Sequence, residues 1–130
     1  DEEASYPLAW FEESLNNNFI FGGYTSSGDL AGVIGFYVPT SNKQKHKATL
    51  WGMFVRPEVR GVGLSKYLAE EVIKQAENLA EEILLTVVDS NIAALRLYKG
   101  LGFKKYGLEK RALKIGNEYQ DELLMSLLLK

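Results

Sequence analysis

Cysteine is absent from this 130-residue chain. Disulfides, thiolate nucleophiles and cysteine-based metal sites are therefore excluded, and a reducing compartment fits. Histidine is nearly absent too, with His46 the only one. A Ser-His-Asp triad would have to use it from within a run of lysines, and a zinc site would lack further imidazoles or thiolates. No metal is expected. There is no excess of positive charge: 15 Lys and Arg stand against 17 Asp and Glu, for a net charge of −2. Nucleic acid is not expected as a partner, because phosphate backbones are held by basic faces. Long apolar runs are missing as well. Leu123 to Leu129 falls far short of the roughly 20 residues that span a bilayer and reads as a buried strand, so no membrane partner is expected. The opening Asp1-Glu2-Glu3-Ala4-Ser5 has no signal-peptide pattern. These absences point to a cytoplasmic protein.

What is present suits one soluble domain with its own core: 46% hydrophobic and 25% charged residues, with no linker, repeat or low-complexity segment. Leu8, Phe11 and Leu15 behind Pro7 predict a helix over 7–16. Strands are predicted over 19–25 and 30–38, joined by a turn at 26–29 into a hairpin. A polar loop over 39–47 contains Lys43, Lys45, His46 and Lys47, which read as a solvated loop or as contacts to ligand phosphates. A third strand spans 48–55. Leu64, Leu68, Val72, Ala76 and Leu79 recur at helical spacing and predict a helix over 64–80. The nearly continuous apolar run 83–88 predicts a strand covered on both faces. A short helix over 92–99 follows Asp89-Ser90-Asn91, closed by Gly100 or Gly102. Two long strands, 103–115 and 120–129, flank a turn at Gly116-Asn117. The class is α+β, or mixed α/β, around one central sheet. The apolar final strand could pair across a dimer or be covered within a monomer.

The segment Val55-Arg-Pro-Glu-Val-Arg-Gly-Val-Gly-Leu-Ser65 carries the most chemistry. It reads as a strand, a short basic glycine loop and the start of an amphipathic helix. Glycines let the backbone approach a ligand closely, the first N–H groups of the helix point outward, and the helix dipole favours negative charge. Arg60 adds a positive charge. The expected ligand is a phosphate or pyrophosphate; the alternative is a plain strand-to-helix turn. A nucleoside-triphosphate P-loop is unsupported without Gly-Lys-Ser/Thr. The third glycine of a dinucleotide fingerprint falls on Lys66.

Two blocks carry a resemblance to a known family. Arg60-Gly61-Val62-Gly63-Leu64-Ser65 is similar to the acyl-CoA loop Gln/Arg-x-x-Gly-x-Gly/Ala of the GNAT superfamily, the GCN5-related N-acetyltransferases; Ser65 replaces the usual small final residue. Asn91-Ile-Ala-Ala-Leu-Arg-Leu-Tyr98-Lys-Gly-Leu-Gly102-Phe103 resembles the family segment Asn-x-x-Ala-x-x-Leu-Tyr…Gly-Phe. The likeness covers about residues 19–129. It implies a single acyl-CoA N-acyltransferase domain over 1–130 that lacks the family's first strand and first helix. The implied sheet is mixed, largely antiparallel and flanked by helices, splayed between the strands at 48–55 and 83–88.

The resemblance implies transfer of an acetyl group from acetyl-CoA to a primary amine by direct attack on the thioester. Phe54 and Val55 would be main-chain partners of the pantetheine arm. The pyrophosphate would rest on N–H groups of Arg60, Gly61, Val62, Gly63, Leu64 and Ser65, with Asn91 beside the arm. Tyr98 would protonate the leaving thiolate, and a backbone N–H near Val55 would serve the oxyanion. On the residues alone Asn91 reads as a helix cap and Tyr98 as a core aromatic. No base is assigned: the strand 48–55 has no carboxylate, and Thr86 stands where relatives often have Glu. The acceptor is a small-molecule or peptide amine. The alternative function is a non-catalytic CoA-binding regulatory or sensor domain of the same fold.

Overall fold

The computed structural model describes residues 9–15, 18–24, 27–57 and 63–130, with the backbone alone for 9–15. The elements are β1 (Ala9–Leu15), β2 (Asn18–Tyr24), β3 (Leu30–Tyr37), β4 (Lys47–Val55), α1 (Leu64–Ala76), β5 (Glu82–Val88), α2 (Ile92–Gly100), β6 (Lys104–Ile115) and β7 (Glu118–Leu128). They build one seven-stranded sheet in the order β1-β2-β3-β4-β5-β7-β6. All neighbours are antiparallel except β4 and β5, as the α1 crossover between them requires.

The expected strands, both later helices and the Gly116-Asn117 turn are found, while the expected helix over 7–16 is not. Residues 9–15 pair with β2 from Ala9↔Tyr24 to Leu15↔Asn18. Trp10 and Phe11 favour extended chain, and only two residues separate the strands, which suits a hairpin. One short apolar row at helical spacing does not offset the cost of nucleating a helix.

The two faces of the sheet differ. α1 lies over β2, β3 and β4 and buries Leu64, Leu68, Ala69, Val72 and Ala76. Beneath it, Phe36 stacks with Phe19 at 4.8 Å and with Phe21 at 6.1 Å. A Cβ built on Gly32 would meet Leu64 and Leu68, so this point of β3 faces α1 closely. Ile83, Leu85, Val87 and Met125 continue the buried face toward α2, and Leu127 lies against Gly102 at the end of that helix. On the opposite face Trp51 lies flat over Gly35, its cross-strand partner.

That contact is unforgiving. A methyl group on Gly35 would sit 2.5 Å from Trp51 Cζ2. Gly35→Ala is expected to lower stability by about 1–3 kcal/mol, the range for overpacking, measured by urea denaturation. A loss below about 0.5 kcal/mol would show that Trp51 swings away freely.

Candidate active site

The central feature is a gap in the sheet. β4 and β5 share three residue pairs, Lys47↔Glu82, Ala48↔Ile83 and Thr49↔Leu84, and then separate. The cause lies in β4. Its register with β3 passes from Gly35↔Trp51 to Val33↔Phe54, so β4 carries one extra residue there, and Gly52 has φ 65°. A bulge of this kind bends its strand and increases the local twist. β5 instead follows β7 without interruption, from Glu82↔Leu128 to Val88↔Glu122. Arg56 N–H donates to Ala31 O at 2.9 Å toward β3, so strand alternation aims the N–H of Val55 to the gap side.

A cavity of about 580 Å³ opens on the helix side of this gap. It brings together Phe54, Val55, Gly63, Leu64, Ser65, Asn91 and Tyr98. The expected site residues Arg60, Gly61 and Val62 lie outside the described residues. Met53, Lys66 and Leu97 also line the cavity and were missed in the sequence reading. Gly52 in mid-strand was the available signal for Met53, since such a glycine often marks a bulge.

The start of α1 forms one wall. Gly63 is its N-cap, held left-handed at φ 86°, and offers no capping side chain. The first turn has no acidic residue, and Tyr67 N–H is the first donor back, to Gly63 O at 3.1 Å. The N–H groups of Leu64, Ser65 and Lys66 therefore have no intrahelical acceptor, which makes this end a suitable cradle for an anion.

The opposite wall is α2, and both of its ends are tied. Asn91 Oδ1 accepts a hydrogen bond from Ala94 N–H at 3.1 Å, so the residue is a helix cap and a cavity wall at once. At the other end Gly102, at φ 103°, donates to Lys99 O, and Phe103 N–H donates to Tyr98 O, each at 3.0 Å. This is the six-to-one and five-to-two pattern of a Schellman cap. Its apolar contact is the Tyr98–Phe103 ring pair, edge to face at 5.6 Å. The cap that closes the helix thus also fixes Tyr98. Burial raises the pKa of that phenol, so it stays protonated at neutral pH.

Other candidates fall elsewhere. Lys45 and His46 precede β4 at its closed end and line a separate cavity of about 490 Å³ that shares no lining residue with the first. Lys43 and Lys45 are exposed, as a solvated loop would be. Tyr119 lies under the Arg111 guanidinium at 3.8 Å on the β6–β7 hairpin. Among the described residues no group of three or more His, Asp or Glu is placed to hold a metal ion, and no helix is long and apolar enough to cross a membrane.

Residues 1–103 match the family model for the acetyltransferase (GNAT) family. The chain is 26% identical to the [ribosomal protein bS18]-alanine N-acetyltransferase of Escherichia coli, over 97% of this chain and 85% of that protein. A GNAT-family acetyltransferase structure from Streptococcus pneumoniae superposes with a TM-score of 0.82 at 26% identity, covering 88% of this chain and 69% of that one. The structure of yncA from Salmonella typhimurium with its cofactor acetyl-CoA shares the fold, with a TM-score of 0.79 at 19% identity over 87% and 65% of the two chains. The chain spans only 32%, 25% and 55% of the lengths of three other curated relatives. A family match across most of the chain, on a fold split where the cavity opens, settles the lineage: the chain belongs to the acetyltransferase (GNAT) family.

Proposed function

We propose that this chain is an acetyl-CoA-dependent N-acetyltransferase acting on a primary amine. The observation that carries the proposal is the single cavity that joins α1's uncapped first turn, the gap edge of β4 and the buried Tyr98. Family membership and the N-acetyltransferase names of its relatives support it. The Escherichia coli relative is named for a protein's alanine, so a peptide α-amine is the acceptor to test first.

The residues present fit the donor. Leu64 and Ser65, with Arg60, Gly61, Val62 and Gly63 before them, would hold the pyrophosphate on backbone N–H groups. The gap-side backbone of Val55 would pair with the amide-bearing arm, with Phe54 lining the same cavity. Asn91 would border that arm while keeping its capping bond. Acetyl-CoA supplies the acyl thioester and a thiolate leaving group. The Val55 N–H would donate to the carbonyl oxygen as charge develops there. Tyr98 would give its proton to the departing sulfur, a task for which burial keeps it in the neutral form.

A non-catalytic acyl-CoA sensor is the second reading. It is favoured by one observation: β4 has no carboxylate, and the one on β5, Glu82, sits at the closed end of the gap.

Acetyl-CoA is expected to bind the chain in calorimetric titration, and Gly63→Val to weaken binding at least about tenfold, because a branched side chain is strained at φ 86°. Equal binding would remove the α1 terminus from the site. Tyr98→Phe is expected to leave acetyl-CoA affinity within about twofold yet reduce kcat about 10²-fold, the usual worth of a general acid. Because the phenol's pKa is raised, the parent enzyme should show no alkaline fall in kcat from this group below about pH 10. Binding without transfer to any amine would favour the sensor.

A further inference from the structure

Strand β5 walls one side of the gap, and its side chains alternate. Ile83, Leu85 and Val87 are buried beneath the helices, while Leu84, Thr86 and Val88 point to the other face. Register extends that other face outward. Thr86 lies opposite Leu124, Val88 opposite Glu122, and Glu122 in turn opposite Glu109. A Cβ on Gly107 would lie 3.0 Å from Leu124 Cδ1, as expected for side chains sharing this face. Glu122 therefore stands at the open end of the gap, one strand spacing (about 4.8 Å) beyond its β5 wall. It is diagonal to Thr86, at about 7–8 Å between such positions.

Glu122 is half-buried, and among the described residues no hydrogen bond or ion pair engages its side chain. Its direct cross-strand neighbour is another carboxylate, an arrangement that costs stability. The nearby cations are occupied elsewhere: Lys110 pairs with Asp121 at 3.6 Å, and Arg111 lies over Tyr119. Among the described residues, a negative group without a counterion thus sits beside the gap, on the face opposite the donor cavity. With the donor in the cavity lined by α1 and α2, the opposite face is the one left for an acceptor.

We propose that Glu122 takes the proton from the incoming ammonium, through one water above Thr86. The proposal rests on the acetyltransferase reading. The water gives a proton to the carboxylate and takes one from R–NH3+, leaving the neutral amine. The amine lone pair forms the C–N bond to the acyl carbon and the C–S bond breaks. Tyr98 protonates the sulfur and regains a proton from the nitrogen. Glu122 releases its proton to solvent, so one proton is produced per amide. The carboxylate that β4 and β5 lack near the open gap is thereby supplied from β7.

The test compares Glu122→Gln with the parent chain, using acetyl-CoA and a peptide beginning with alanine as acceptor, across pH 6.5 to about 9.5. An α-amine has a pKa near 8, so about nine-tenths is ammonium at pH 7. The variant is expected to lose about tenfold in kcat/KM for the peptide at pH 7 and to regain the parent rate above about pH 9, where the amine is already neutral. Its affinity for acetyl-CoA should match the parent's. An equal loss at every pH indicates a structural role and overturns the proposal, as does no loss. Absence of transfer by the parent chain overturns the peptide-acetyltransferase reading itself, and this proposal with it.

Discussion

Backbone pairing between β4 and β5 ends after Thr49 and Leu84, and the rest of the site follows from that break. A parallel ladder that continued would close the sheet and leave no room for a ligand arm between the strands. Two opposed demands keep it open. The bulge at Gly52 bends β4 away, while unbroken pairing with β7 holds β5 on its own course. The sheet cannot heal without slipping one of these registers, and a slip of one residue would turn buried side chains such as Leu85 and Val87 to the wrong face.

The helices complete what the gap begins. α1 is anchored along its length by Leu64, Leu68, Ala69, Val72 and Ala76, so its first turn can remain uncapped without fraying. That arrangement leaves backbone donors facing the cavity instead of satisfying them internally. Tyr98 is treated in the opposite way, buried and tied through the Phe103 cap. One wall of the cavity thus favours negative charge, and the other holds a buried, neutral phenol. This division of labour is what transfer from a phosphate-bearing thioester would require.

Much of this was legible in the sequence because it rests on local signals. The glycine-to-helix transition at Gly63, the helical spacing from Leu64 onward, the Asn91 cap and a glycine stop at Gly100 or Gly102 each declare themselves within a few residues. The splay was anticipated only through family likeness. No local pattern states that two strands will part, and the bulge behind it depends on β3 lying alongside. The segment 7–16 misled because three apolar residues at helical spacing also suit a strand when a partner is two residues away. The place of Glu122 was hidden for the same reason as the splay. Its neighbours are set by cross-strand register, which links residues as far apart as Val88, Glu109 and Glu122.

The short helix α2 has a consequence of its own. Asn91 and Tyr98 are seven positions apart, about two turns, so they fall on nearly the same side of the helix and both reach the cavity. The Asn91 cap and the Gly102 cap hold the ends of that interval. α2 therefore works as a ruler whose length matters more than its composition. Its outward residues, such as Arg96 and Lys99, can vary with little cost. Adding or removing one residue between the caps would swing Tyr98 by about 100° and carry the phenol out of the site while leaving the α1 and β4 walls in place.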